Sequence, residues 1–429
     1  MKIKTLDITK KNFNKDLLNH LSLKLENSKA IESSVTKILD DIKKNKDKAL
    51  IKFANKYDKT AYKKISESVV SKSEIAEAYN HISKQALSNL KKAIINIKRF
   101  SKKQILKSWS MKVNGSTLGE KVTAIDRVGI YVPGGKACYP STVLMNAIPA
   151  KTAGVNDITM VCPPINGKLD PLVLVAADLC KVDKIYKIGG AHAIGALAYG
   201  TETIKQVHKI VGPGNIYVAT AKRKVFGTVG IDSFAGPSEI LIIADKDTSS
   251  ECIAIDMFAQ AEHDEMAQSI LLTTSSKLIL DVNKKIDSMI KNQQRKDIIK
   301  KSLSSRGLFI KVKTQSDIVD IANRIAPEHL EILGYKKSKL PHKINNAGAI
   351  FIGESSPEVF GDYCAGPNHV LPTSGAARYA SPLGVYDFLK RSSMMQISKT
   401  HAKELSKIAI SIADCEGLYS HSESAKYRK

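Results

Sequence analysis

Residues 128–135 read VGIYVPGG, a short apolar run that stops in Pro and Gly. The same cadence returns in ITMVCPP at 158–164, KIYKIGG at 184–190 and KIVGPGN at 209–215. Between these runs lie stretches of helical length, such as STVLMNAIPAKTAG at 141–154 and LVLVAADL at 172–179. Strand, glycine turn and helix in alternation predict a mostly parallel sheet covered on both faces. Ligands of such sheets collect at the carboxyl ends of the strands, where these turns lie. A second series runs through SEILIIAD at 238–245, SILLTT at 269–274, GLFIKV at 307–312 and GAIFIG at 348–353. The expected fold class is therefore α/β, with two Rossmann-like three-layer units.

The flanks read differently. The first 125 or so residues contain no Pro and are expected to be mainly helical, with apolar clusters at Leu17, Leu18, Leu21 and Leu23, then at Ile38, Leu39, Ile42, Leu50 and Ile51. After Leu383, Leu405, Ile408, Ala409 and Ile412 recur at helical spacing and Gly417 offers a C-terminal cap. The tail from Glu416 is too polar to form a core and must dock on something or stay loose. The expected division is a helical arm at 1–25, a larger α/β domain from 26–125 plus 237–382, an inserted α/β domain at 126–236, and an extended helical tail at 383–429.

Composition narrows the function. Hydrophobic residues make up 43% and charged residues 25%, as in ordinary globular proteins. No apolar run approaches the ~18 residues that cross a bilayer, and the basic N-terminus lacks the apolar block of a secretion signal. The expected location is cytoplasmic, with no membrane partner. The formal net charge is +24, from 66 basic and 42 acidic residues. It is spread broadly, mostly as Lys, without a helix-turn-helix, zinc-finger or aromatic-platform pattern, so no nucleic-acid partner is expected. The six cysteines, at 138, 162, 180, 252, 364 and 415, form no C-x-x-C pair, which argues against a disulfide framework or a cysteine zinc site.

Five polar constellations stand out. In AQAEH at 259–263, Gln260 and His263 stand three apart; on a helix they share a face, either as a solvated surface or as half of a metal site. FGDYCAGPNHVLPTSG at 360–375 places Asp362 and His369 in a loop rich in Gly and Pro, a setting that suits functional groups and plain surface alike. In RIAPEHLEI at 324–332, Pro327 suits a first helical turn, with Glu328 and His329 near the helix N-terminus. There the dipole favours an ionised Glu beside a neutral His, a pair fit for proton abstraction. EGLYSH adds Glu416 and His421 in the tail. Gly189 and Gly190 form a turn whose amides can approach phosphate oxygens, although the dinucleotide fingerprint G-x-G-x-x-G is absent.

From about Asp126 to the C-terminus the chain resembles the histidinol dehydrogenases. The resemblance rests on VPGGKACYPSTVLMNAIPAKTAGV, GGAHAIGALAYGT, VGPGNIYVATAKR, FAGPSEILIIAD, QAEHDEMAQSILLT, APEHL, GDYCAGPNHVLPTSG and SPLGVYDF, in that order. It implies an aldehyde-dehydrogenase-like fold and an NAD-dependent, two-step oxidation of L-histidinol through bound histidinal to L-histidine, the last steps of histidine biosynthesis. It implies one zinc ion per subunit on Gln260, His263, Asp362 and His421, with those four also facing substrate. Glu328 and His329 would be the general bases, and Ser238, His369 and Glu416 would line the substrate pocket with His329. Tyr131 and Asn215 match positions that contact NAD; His192 stands where the family motif has an NAD-contacting Gln and is expected to contact the cofactor as well. The resemblance further implies a homodimer in which the tail of one chain, with Glu416 and His421, completes the other's site. Two other readings are weighed beside it: an aldehyde-dehydrogenase-like enzyme with Cys138 as nucleophile, and a basic RNA-binding protein that has lost catalysis.

Overall fold

The computed structural model describes all residues except 2, 23–27, 135–137, 234–235, 336–338 and 429. The N-terminal part runs β1 (Lys4–Asp7), α1 (Phe13–Leu21), α2 (Ser28–Tyr57), α3 (Lys72–Asn80) and α4 (Lys84–Lys102), followed by the hairpin β2 (Trp109–Val113) and β3 (Ser116–Ala124). The first α/β unit comprises β4 (Arg127–Tyr131), α5 (Pro140–Ala153), β5 (Asp157–Val161), α6 (Pro171–Leu179), β6 (Lys184–Tyr186), α7 (Gly190–Tyr199), β7 (Lys209–Val211), α8 (Ile216–Val225) and β8 (Gly230–Ile231). The second begins with β9 (Glu239–Ala244), α9 (Ser250–Ala261), β10 (Gln268–Thr273), α10 (Ser276–Met289), α11 (Lys296–Arg306) and β11 (Leu308–Lys311). It continues through α12 (Gln315–Ile325), β12 (His329–Leu333), α13 (Leu340–Lys343), β13 (Ala349–Ile352) and α14 (Glu358–Tyr363). The chain closes with β14 (Leu389–Gln396), α15 (Lys399–Cys415) and α16 (Tyr419–Lys426).

The two series expected from the sequence form two all-parallel sheets, one ordered β6-β5-β4-β7-β8 and the other β1-β11-β10-β9-β12-β13. Their central strands are mostly apolar and buried on both faces: Glu239–Ala244 and Gln268–Thr273 are buried at every position. A third, antiparallel sheet, β14-β3-β2, is built from the hairpin and the returning C-terminal strand.

Three features depart from the sequence reading. Lys4–Asp7 is an edge strand paired with β11 rather than part of a helical arm. Its four polar-rich residues carry no periodic signal of their own. Trp109–Ala124 is a hairpin, not helix. And the helices of 28–102 pack on the five-stranded sheet: Val35, Ile38, Leu39 and Ile42 share a core with Tyr131 and Ile194, while Ile94 and Ile97 share one with Val143 and Ile148. The expected division grouped 26–125 with the other sheet. Leu17 lies buried under the six-stranded sheet as part of an apolar face, whereas Leu18 is exposed and Leu23 lies outside the described residues.

A proline ties the two units together. Pro149 sits inside the buried helix α5 and has no N–H to offer the carbonyl four residues back, that of Met145. That carbonyl instead accepts a 2.6 Å bond from Asn368 Nδ2, on the loop that carries His369. No helix among the described residues is long and apolar enough to cross a membrane.

Candidate active site

His329 opens β12, between β9 and β13, so Glu328 and His329 lie at a strand start and not in the first turn of a helix. HLEIL is buried at every position, and a central strand buried on both faces needs no alternation to identify it. Pro327 serves the turn between α12, which ends in left-handed Ala326, and the strand. The helix-dipole argument for an ionised Glu beside a neutral His therefore does not apply; burial and neighbouring charges set their protonation.

The backbone of Glu239, at the start of β9, holds both side chains. Its N–H donates to Glu328 Oε2 at 2.8 Å, and its carbonyl lies 3.0 Å from His329 Nδ1. A carbonyl only accepts, so Nδ1 carries the proton and Nε2 faces the site. Around the ring stand Glu328 Oε2 at 3.6 Å and Glu358 Oε2 at 3.7 Å on the Nδ1 side, and Asp362 Oδ1 at 3.3 Å from Nε2. Burial opposes a charge on His329, but these three carboxylates prevail and raise its pKa well above the usual value. Burial pushes the Glu328 carboxyl up to about 8, with His329 and the Glu239 N–H pulling the other way, and Glu239 itself up to about 7. Glu358 is likewise raised, by burial first. Asp362 is the exception: burial opposes ionisation, yet the His329 hydrogen bond and the charges of His329, His369 and His263 hold it below the usual carboxylate range. Behind Glu358, whose N–H donates to Glu331 Oε1 at 2.7 Å, the carboxyls of Glu331 and Asp256 form a further buried pair, both raised by burial.

Gln260 ends α9, but the helix stops at Ala261 and His263 lies just beyond it, its N–H on the Gln260 carbonyl at 3.3 Å. The pair is brought together by the closing turn and not by a shared helical face. The Gln260 amide, oriented by its partners, turns its nitrogen to both Glu358 oxygens at 2.9 Å and its oxygen to the Glu239 N–H at 2.9 Å. Asp362 belongs to the short helix α14 rather than to the loop; His369 is on the loop, its Nδ1 2.8 Å from the Asp362 carbonyl. Desolvation lowers the pKa of His263 and of His369 against the pull of Asp362. Two imidazoles that favour the neutral form, an ionised carboxylate and an amide are donor types that suit zinc. Among the described residues, however, no three His, Cys, Asp or Glu side chains of one chain close to metal-binding distance.

The fourth expected ligand is elsewhere. His421 is exposed on α16 and Glu416 is exposed at the end of α15. Neither side chain makes a hydrogen bond or ion pair among the described residues. Among the described residues α15 is held through its first turns, where His401 Nδ1 meets Ser116 Oγ at 2.8 Å, Ser398 Oγ donates to the Asn114 carbonyl at 2.9 Å and Asn114 Nδ2 donates to Glu404 Oε2 at 3.2 Å.

The residues expected to meet the cofactor lie along the carboxyl edge of the five-stranded sheet. Tyr131 ends β4 and is buried, its hydroxyl accepting the Gly190 N–H at 3.1 Å. Asp58 Oδ2 accepts the Gly189 N–H at 3.0 Å. Both amides of the turn expected to cradle phosphate are thus already engaged within the chain. His192 is only 1% exposed and lies behind this turn, its Nε2 2.9 Å from the same Asp58 oxygen. Asn215 caps α8, its Oδ1 accepting from the Tyr217 and Val218 amides, and its Nδ2 has no hydrogen-bond partner among the described residues. Asp232 accepts the Gly212 N–H at 2.7 Å and pairs with buried Lys222, fixing the neighbouring GPGN turn. From Asp232 the chain runs to Ser238, whose carbonyl accepts the Gln268 N–H, and so to the start of β9. The carboxyl edge of one sheet thereby leads to the amino edge of the other, where Glu328 and His329 lie.

A model of the family described as histidinol dehydrogenase matches residues 22–429. The chain belongs to the histidinol dehydrogenase family. It is 48% identical to the histidinol dehydrogenases of Burkholderia lata, covering 99% of this chain and 98% of that protein, and of Nitrosomonas europaea, covering 100% and 99%. The crystal structure of the histidinol dehydrogenase of Elizabethkingia anophelis superposes with a TM-score of 0.93 at 34% identity, covering 99% of this chain and 98% of that one. An acetylating aldehyde dehydrogenase from Geobacillus thermoglucosidasius, 12% identical with a TM-score of 0.50 over 87% of this chain and 98% of that one, shares the fold alone. The histidinol dehydrogenases are NAD-dependent oxidoreductases of the last steps of histidine biosynthesis, and the chain is an enzyme of that class. Among the described residues nothing around Cys138 activates it: the residue is exposed, and partial desolvation, then Asp170, pushes its thiol up, away from the thiolate a nucleophile needs.

The sequence reading missed Glu239, Glu358, Glu331 and Asp58. Glu239 follows Ser238 within a motif already singled out. Glu358 follows a Pro and reads as ordinary first-turn chemistry, and Asp58 ends a Lys-rich helix and reads as solvated.

Proposed function

We propose that the chain oxidises L-histidinol to L-histidine in two NAD-dependent steps at the single site around Glu328 and His329. The observation that carries this reading is the buried His329, with one nitrogen fixed by the Glu239 carbonyl and the other aimed at Asp362 beside His263 and Gln260. When bound, zinc would hold the amine and imidazole nitrogens of the substrate and NAD would take a hydride from its carbinol carbon. Gln260, His263 and Asp362, with His421 of a second copy, would hold the metal; Tyr131 and Asn215 border the cofactor side, and Ser238, His369 and Glu416 the substrate.

His329 takes the hydroxyl proton at Nε2 as the alcohol becomes an aldehyde. Its raised pKa depends on three carboxylates, so drawing Asp362 off to a cation lowers it toward the range where a base works near neutral pH. Glu328, with Oε2 on the Glu239 N–H, then takes a proton from water as the water adds to the aldehyde, while His329 returns its proton to the former carbonyl oxygen and is free to act again. The resulting hydrate loses its hydroxyl proton to His329 in the second oxidation. Keeping the aldehyde in place between the steps prevents loss of a reactive intermediate.

A homodimer with exchanged tails supplies what one chain lacks. The face Leu405, Ile408, Ile412 expected to pack is uncovered, with Ile408 and Ile412 each 55% exposed, and Trp109 and Met395 are exposed on the nearby antiparallel sheet. A second copy is the occupant that both covers this face and brings His421 to a metal. Mixing a His421→Ala chain with a His329→Ala chain tests it: heterodimers recover activity at one of two sites, and no recovery contradicts tail exchange. Six free cysteines accord with a cytoplasmic setting, which we also propose. NAD reduction by histidinol, with about one zinc per chain, tests the whole reading; NAD left unreduced by zinc-loaded enzyme contradicts it.

A further inference from the structure

We propose that His192 sets the affinity for the dinucleotide without touching it, as a positioning residue that locks Asp58 against the amide of Gly189. The inference rests on the NAD reading above.

The geometry is specific. His192 Nε2 and the Gly189 N–H both point at one oxygen, Asp58 Oδ2, at 2.9 and 3.0 Å. The ring is 1% exposed and the Asp58 side chain 6%, so neither is solvated. The imidazole packs against two stacked aromatic rings of α2, with centroids 6.1 Å from Tyr57 and 6.4 Å from Phe53. Asp58 follows the last turn of that helix, its own N–H on the Ala54 carbonyl at 2.8 Å. One carboxylate oxygen thus joins the end of α2 to the start of α7.

The glycine turn has no slack elsewhere. A side chain at Gly189 would run into Pro163, whose Cβ stands 2.4 Å from where a Cβ would be. Gly190 has φ +60°, a conformation that favours glycine, and its N–H is held by Tyr131, the β4 residue on the proposed cofactor side. The turn therefore takes its position from three contacts: Pro163, Tyr131 and Asp58. Of these only Asp58 depends on a titratable partner, and that partner is His192. Removing the imidazole leaves a buried carboxylate with one amide donor, which favours turning toward water and releasing Gly189. A residue buried behind the turn can then alter what binds in front of it.

The test is NADH binding, followed by protein fluorescence, for wild type, H192A, D58N and H192A/D58N, with steady-state kinetics alongside. Each single variant is expected to weaken NADH roughly tenfold, and the double variant no further than the worse single one, because the two residues act through one link. His192→Gln, which keeps a donor for Asp58, is expected to recover most of the loss. In turnover the loss falls on KM for NAD rather than on kcat. Single variants that bind NADH as wild type does, or losses that multiply to roughly a hundredfold in the double variant, overturn the inference, the latter because it marks independent contacts. If H192A is insoluble, D58N is near-isosteric and reads the same link: unchanged affinity overturns it. Wild type that fails to bind NADH contradicts the cofactor reading and this inference with it; wild type that binds while the variants are unmoved contradicts this inference alone.

Discussion

The molecule buries a histidine against carboxylates twice, in opposite styles. His192 meets one oxygen of one aspartate at 2.9 Å, and that oxygen is shared with a backbone amide. His329 is ringed by three carboxylates, none closer than 3.3 Å. The first arrangement is closed: one donor, one acceptor, and a turn held in place. The second is crowded, with a proton contested among Glu328, Glu358, Asp362 and the ring. A tight pair fixes backbone, whereas a loose crowd of like charges leaves a proton free to move when a substrate or cation shifts the balance. The difference fits the roles proposed above, positioning for His192 and chemistry for His329.

Substitution at the crowded site carries the largest expected effect. His329→Ala should lower turnover by roughly 10²–10⁴-fold in both oxidations, the usual scale for a lost general base. Glu328→Gln should lose a similar factor only in the water-dependent second half, leaving conversion to aldehyde closer to wild type. Equal loss in both halves would remove the division of labour between the two bases.

A second consequence concerns stability. Glu328 has a folded pKa of about 8, against about 4.3 for an unfolded glutamate. Between these values the unfolded chain has released the proton that the folded chain retains, so stability falls as pH rises through that window and the deficit is constant above it. Glu328→Gln lacks this deficit. In chelator-treated protein its Tm should match wild type near pH 4 and exceed it increasingly toward pH 8. A variant that is less stable than wild type at pH 8 would mean that Glu328 is ionised and well paired in the folded chain.

The smallest effect belongs to the strut between the two units. Asn368→Ala removes the bond to the Met145 carbonyl that Pro149 leaves open. It should cost about 1 kcal/mol of stability and raise KM for histidinol, because His369 follows directly. Pro149→Ala should largely compensate in the double variant, by restoring the helical donor to that carbonyl. Additive losses would show that the carbonyl does not need a partner.

Much of this was legible in the sequence, for physical reasons that differ by element. The glycine-terminated apolar runs, such as KIYKIGG and KIVGPGN, map onto β6 and β7 and their turns because buried parallel strands must be apolar and must turn tightly at the carboxyl edge. The strand at His329–Leu333 reads as a helix start in the sequence because Pro327 suits a first helical turn as well as it suits the loop before a strand. His263 was placed on a helix that ends two residues earlier; nothing in AQAEH marks that end, since the next glycine is far downstream. Lys4–Asp7 and the hairpin at Trp109–Ala124 are edge or half-exposed strands, whose polar residues hide the pattern. The resemblance supplied site residues that spacing alone left open, and it brought Gln260, His263, Asp362, Glu328, His329 and His369 to one region. It did not supply Glu239, whose backbone holds the side chains of both Glu328 and His329.

The central claim is that one site performs both oxidations on a substrate that stays bound. The most direct measurement is NADH formed per histidinol consumed by zinc-loaded enzyme. The account predicts about two per molecule, with histidine as product; about one per molecule, with aldehyde released to solution, would contradict it.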